Sequence, residues 1–273
     1  MKRRRAIIIL SLIILSATIA WMALKPSDPL YNGKRLSHWM EGYYVGTGAE
    51  GPSYEDTQNA LVALGTNSIP TLVQMLREED SPIKIKLVAL SKKYNFSNLH
   101  LVRAQVKHAA AVRGFHTLGV QAQCAAPALI ASLQDDLSID SRVQTLNALA
   151  LLGPSASGAI PLLVRDSSHT NEHIRASAIM ALGFIHAEPE ASIPLLIKAL
   201  TDNSVGVRIL AAQSLGYYGS AAQSAVPALI LALQDRFTRE AADRSLDKID
   251  PEEAFLARMK MKPRHVKSKN HPK

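Results

Sequence analysis

Three segments of this chain read almost as copies of one another: RVQTLNALALLGPSASGAIPLLV, RASAIMALGFIHAEPEASIPLLI and RILAAQSLGYYGSAAQSAVPALI. Their leading arginines, Arg142, Arg175 and Arg208, stand 33 residues apart, and Pro161, Pro194 and Pro227 keep the same step. Eleven residues after each arginine comes Gly153, His186 or Gly219, and the proline follows eight residues later. The same ruler fits His108, Gly119 and Pro127 upstream, Gly65 and Pro70 in shortened form, and half fits Arg239 to Asp250 downstream. A fixed period of this length restricts a chain to a stack of like units, each burying its apolar face against the next.

The first half of each copy carries apolar residues at steps of three and four, as in Val143, Leu146, Leu149 and Leu152, which places them on one face of a helix. The second half opens at proline, which the first turn of a helix tolerates because its missing N–H would have had no partner there. Small residues between the halves, such as Ala156 with Ala159 and Ala222 with Ala225, suit a tight corner. The sequence therefore predicts an all-α fold, an α-solenoid of stacked helical hairpins. The glycine position at the corner calls for positive φ, which His186 tolerates better than most side chains.

The small-residue corner, the proline-led second helix and Asp202 followed six residues later by Arg208 resemble the HEAT-repeat family in its short bacterial form. The resemblance covers roughly residues 55–254. It implies Asp/Arg ladders between neighbouring repeats, second helices lining a concave face, and a scaffold rather than an enzyme, although a few members are bilin lyases or alkylpurine glycosylases.

Flanking segments depart from the period. Residues 1–25 hold a basic cluster, Lys2 to Arg5, followed by an uncharged run over 6–24, 19 residues long and sufficient to span a bilayer. Basic residues ahead of such a run stay in the cytoplasm, which predicts a membrane anchor with the solenoid on the outer, periplasmic side. A cleaved signal peptide ending at Ala20, giving a secreted or periplasmic protein, is the alternative. Residues 26–54 are a lead-in, with a short helix over Lys34–Met40 whose Leu36, Trp39 and Met40 cap the first repeat. The repeats run over 55–254 with an insertion at 81–106, where Pro82–Lys93 reads as an extra helix with Ile83, Leu87 and Leu90 on one side. Residues 255–273 form a basic, largely disordered tail.

The formal charge of +8 suggests nucleic acid until it is divided by region. Residues 26–257 hold 19 Lys/Arg against all 23 Asp/Glu, so the repeats carry a net −4 and no basic groove for phosphates is expected. Both tryptophans, Trp21 and Trp39, lie outside the main repeats, which also argues against a base-flipping glycosylase.

Local motifs carry little chemistry. Gly46 to Gly51 spells G-x-G-x-x-G but lacks the flanking strands of a dinucleotide site. His169 and His173 straddle a loop–helix junction, with Thr170 and Asn171 reading as cap residues, so no metal is expected there. Cys124, the sole cysteine, reads as a small buried hydrophobe. No catalytic, cofactor-binding or metal-binding residue is assigned, and no small-molecule substrate is expected. One irregularity stands out. Six residues after the proline the other copies have Leu76, Leu133, Leu200 and Leu233, whereas the third has Ser167, within the run Arg165, Asp166, Ser167, Ser168, His169. Either the second helix ends a turn early there, or the break marks a binding locus. The expected function is a non-catalytic scaffold in the cell envelope. It would bind a protein or peptide partner through the second helices, with Gln74, Arg165, Asp166, Ser167, His169 and Lys198 as candidate contacts.

Overall fold

Helix caps mark where the period becomes structure. In the computed structural model, which describes residues 28–44, 51–94 and 102–261, Ser53 opens the first repeat with a reciprocal capping box. Its Oγ accepts the Asp56 N–H at 3.0 Å while its own N–H donates to Asp56 Oδ2 at 2.9 Å. The anchor expected over 6–24, most of the glycine motif at 46–51 and the tail beyond Met261 lie outside the described residues. The chain divides into two compact units, Met1–Ala125 and Ala126–Lys273; periodicity alone gives no such division.

In the first unit, strands β1 (Leu30–Tyr31) and β2 (Lys34–Arg35) form an antiparallel hairpin. Its turn places Asn32 at φ 47° and Gly33 at φ 74°, the left-handed pair that Asn-Gly favours. The lead-in helix is accordingly shorter than the sequence predicts: α1 covers only Leu36–Trp39, followed by a 3-10 turn over Met40–Tyr43. Leu36 and Met40 are both fully buried. Trp39 is half-buried and donates its indole N–H to Tyr31 O at 3.0 Å. Next come α2 (Tyr54–Leu64) and α3 (Ile69–Arg77), joined by a short 3-10 turn over Gly65–Ser68, then α4 (Pro82–Tyr94) and α5 (Ala104–Leu118). Asp80 closes the base of the insertion, pairing with Lys84 at 2.7 Å, with Arg103, and with the Ala104 N–H at 2.9 Å.

In the second unit, α6 (Ala126–Ser132), α7 (Ile139–Leu152), α8 (Ile160–Asp166), α9 (Glu172–Ile185), α10 (Pro189–Ala199), α11 (Val205–Tyr217), α12 (Val226–Ala232), α13 (Arg239–Ile249) and α14 (Pro251–Met261) follow in order. The first helices α7, α9, α11 and α13 contact one another in sequence, as a solenoid requires. Their shared faces are fully buried at Leu146, Leu149, Ile179, Leu182, Leu215 and Leu246. The stretch Ile139–Asp166 is long and apolar enough to cross a membrane by composition. Within it, however, the Gly153 corner separates α7 from α8, and both helices contribute to the repeat core.

Two boundaries differ from the sequence reading. In the fourth copy the second helix begins at Pro189, not Pro194, which lies inside α10. The 3-10 turn that precedes α8 and α12 is missing there, and His186 and Glu188 turn the chain instead, both in the left-handed region. At the end of the chain, Pro251 and the Asp250 carboxylate, which accepts the Glu253 N–H at 3.0 Å, start α14 and carry helix through Met261, into the stretch assigned to the tail. Arg258 of that helix pairs with Asp243 at 2.7 Å and Asp247 at 2.6 Å.

Candidate functional site

The loops between repeats are tied by arginine. Arg175 places Nε and Nη2 on the Asp202 carboxylate at 2.9 and 2.8 Å, and donates Nη1 to the carbonyls of His169 and Thr170 at 3.0 Å each. Arg208 repeats the pattern one copy later, reaching Asp235 at 3.1 and 3.0 Å and the carbonyls of Asp202 and Asn203 at 2.9 and 3.3 Å. Each guanidinium thus fastens the loop before its helix to the loop after the next one, the ladder that the HEAT resemblance implies. Asp202 and Asp235 also accept the N–H two residues on, from Ser204 at 2.8 Å and Phe237 at 3.0 Å. The Arg175 hydrogen bond holds the Asp202 carboxyl below its ordinary value against the opposing effect of burial.

The third copy rewires this rung. Counted from the proline, Asp202 and Asp235 are eight residues on, and His169 fills that place in the third copy. His169 Nδ1 accepts the Asn171 N–H at 2.9 Å, the same local bond, but brings no anion. The carboxylate has moved three residues back to Asp166, which Arg142 grips through Nε and Nη2 at 2.9 Å each. Asp166 is buried, at the position where the other copies of this unit have Ser132, Ala199 and Ala232. Burial pushes its carboxyl up, opposed first by a hydrogen bond from Arg165.

The polar break is therefore not a shortened helix. α6, α8 and α12 have the same length, and Ser167 occupies the helix-ending place of Leu133 and Leu233. Those leucines are buried, while Ser167 is half-buried and returns its Oγ–H to Val164 O at 2.7 Å. A carboxylate drawn into the helix end leaves a polar neighbourhood in which a leucine would have less apolar surface to meet.

Gln74, Arg165 and Lys198 share one register, four residues after the proline. Gln74 is half-buried on α3 in the first unit. Arg165 is exposed and pairs with Asp166 at 3.1 Å, so two guanidiniums reach one carboxylate. Lys198 is exposed and makes no ion pair among the described residues. It stands between two grooves. One, of about 300 Å³, runs from Ser167 and Ser168 past Leu195 to Thr201 and Asn203. The other, of about 500 Å³, is floored by Ile197, Leu200, Ala228 and Leu231. Ser167 and Lys198 are thus joined in one groove, whereas Asp166 and His169 belong to the ladder. Sequence reasoning missed Leu231, 66% exposed, although it holds the same register as Lys198 and could have been found by carrying that register one copy further.

Two further positions complete the account. Asn171 caps α9 by accepting the N–H of His173 and Ile174 at 2.9 and 3.3 Å, which separates His169 in the loop from His173 in the helix. Cys124 is exposed rather than buried, because the 3-10 turn Gly119–Ala125 turns Ala122 and Ala125 inward in its place.

The family model describing HEAT repeats matches residues 126–216. Among solved structures, the crystal structure of an engineered protein is similar at 19% identity, with a TM-score of 0.42, over 78% of this chain and 96% of that one. No curated protein sequence matches the chain. Residues 126–216, which hold Arg142, Arg175 and Arg208 and the helices at Pro161 and Pro194, are thus similar to HEAT repeats.

Proposed function

We propose that this protein is a non-catalytic scaffold that binds a protein or peptide segment along its second helices, held in the cell envelope by residues 6–24. The observation that carries the reading is Lys198, an exposed ammonium without an ion pair among the described residues, between two grooves whose lining includes the aliphatic side chains Leu195, Ile197 and Leu231. Apolar surface with a few placed polar groups is the composition of a recognition surface, and a stack of repeats presents it at regular intervals. HEAT repeats generally mediate protein–protein contact, which supports a protein as the partner. Export rests on the sequence of the first 25 residues.

Photo-crosslinking in cells tests the binding face. A benzophenone amino acid at Lys198 or Leu231 is expected to give a discrete adduct that Arg165→Glu weakens, and one at the exposed Glu240 is expected to give none. Equal labelling at all three positions sinks the reading. Reporters fused after Lys273, with alkaline carbonate extraction of membranes, test the location separately.

A further inference from the structure

The insertion helix α4 turns its apolar side outward. Ile83, Leu87 and Leu90, which the sequence places on one side of the helix, are 72%, 42% and 50% exposed, and Tyr94 is 57% exposed. Among the described side chains of α4 only Val88 is buried, flanked on the inner side by half-buried Lys84 and Ser91. An α-helix turns about 100° per residue, so Ile83, Leu87, Leu90 and Tyr94 fall within about 60° of arc, one continuous apolar stripe facing away from the unit. Water does not favour such a stripe; contiguous exposed apolar surface marks a place where something binds.

The charges say what. The sequence of α4, PIKIKLVALSKKY, holds four lysines and no acidic residue. Lys84 lies on one edge of the stripe and is held by Asp80 at 2.7 Å. Lys86 and Lys93 lie on the other edge, both exposed, and neither makes an ion pair among the described residues; the Lys93 ammonium rests 5.4 Å from the Tyr94 ring centre. A partner helix would need a seam of three or four heptads for a stable coiled coil, and this stripe spans under two. Its charges would also be of mixed sign to pair across that seam. A uniformly cationic rim beside a short apolar stripe instead matches a helix lying in the plane of an anionic lipid surface, with lysine stems reaching up to the headgroups.

We propose that α4 rests on an anionic membrane surface, with Ile83, Leu87, Leu90 and Tyr94 at the acyl boundary and Lys86 and Lys93 among the headgroups. The contact is independent of the second-helix binding face. It also does not require the run at 6–24 to remain uncleaved.

The test uses the full chain, with Cys124→Ser and a single environment-sensitive fluorophore on Leu90→Cys or, as a control, on Glu240→Cys. Reconstituted into vesicles of phosphatidylglycerol and phosphatidylcholine, the label at position 90 is expected to shift to the blue and be quenched by nitroxide lipids, while the control is not. Each of Lys86→Gln and Lys93→Gln should weaken the signal about fivefold, the effect of losing one headgroup attraction. Water-like emission at position 90 in those vesicles overturns the proposal. So does a blue shift that is equal in pure phosphatidylcholine and grows with protein-to-lipid ratio, since a second copy of the chain would then be covering the stripe. Because Leu90, Lys86 and Lys93 are all exposed, these variants keep the fold, which the native helical signal of the labelled protein verifies.

Discussion

Arg142 holds Asp166 through two parallel nitrogens at 2.9 Å, a bidentate pair in which the carboxylate side chain is 2% and the guanidinium 12% exposed. Removing one partner of a buried pair leaves the other uncompensated, at a cost of about 3–5 kcal/mol. Asp166→Ala is therefore expected to lower the unfolding free energy of the repeat unit, measured by urea titration, by that amount. Because His169 fills the position from which Asp202 and Asp235 meet their arginines, the second change His169→Asp should restore an anion at the usual rung and recover much of the loss. A double variant no more stable than Asp166→Ala alone would show that the two rungs are not interchangeable.

Acid should loosen the carboxylate ties in a defined window. At Asp80, burial would raise the carboxyl, but Lys84, Arg103 and the Ala104 N–H outweigh it and hold it at about 2. Asp202 and Asp235 are also held below their ordinary value, the first chiefly by Arg175 and the second chiefly by the Phe237 N–H. A carboxyl with a folded-state value below its unfolded one stabilises the fold above the unfolded value, about 3.9, and that contribution fades as pH falls through the folded value. Stability measured by denaturant titration should hold from pH 7 to about 5 and then drop between about 4 and 2. Asp166 runs the other way, its raised value favouring the protonated fold at low pH. Asp80→Asn should flatten part of the drop, and an unchanged slope in that variant would remove Asp80 from the account.

Much of this fold is legible in the sequence because the period itself encodes the packing. Arg175, Arg208, Asp202 and Asp235 recur at fixed offsets, and the ladder that the HEAT resemblance implies runs through them. What the sequence conceals is compensation within a repeat. Ser167 reads as a missing leucine, whereas it accompanies a carboxylate moved from the place of His169 to that of Asp166, and a substitution pattern on one strand of text does not reveal that an arginine 24 residues away has followed it. The outward stripe of α4 is hidden for a related reason: an apolar stripe at helical spacing is the same text whether it faces a core or the outside. The lead-in hairpin was within reach, since Asn32-Gly33 is a strong turn signal.

Corner residues at equivalent positions do not share a conformation, and this separates two substitutions that look alike. Gly153 has φ 59° and ψ −142°, a region closed to side chains, whereas His186 sits at φ 34° and ψ 39°, the left-handed helical region that histidine enters. Gly153→Ala should cost about 1–3 kcal/mol. His186→Gly should change stability by no more than about 0.5 kcal/mol, as for an exposed site away from the core. Thermal unfolding of the two variants decides it; equal losses would mean that the corner, not the backbone region, sets the cost.

Small residues also govern how closely the first helices approach, a signal that the corner alanines overshadow in the sequence. A Cβ added at Gly183 of α9 would overlap Ser214 Oγ and lie 2.8 Å from Ser214 Cα on α11, and one at Gly216 would meet Ser245 Oγ of α13 at 2.6 Å. Ser214 Oγ is itself committed, donating to Ile179 O at 3.0 Å across the same interface. Glycine inside a helix forgoes about 1 kcal/mol relative to alanine, so an exposed site would gain by the change. Here overpacking opposes it at about 1–3 kcal/mol, and because the clash includes a backbone atom the neighbouring helix must move. Gly183→Ala is thus expected to destabilise the repeat unit despite its better helix propensity, and Ser214→Gly in the same chain should relieve only part of the loss, since Cα remains in the way. If Gly183→Ala proves stabilising, the first helices have room to part, and the close approach at that position is not what holds the stack in register.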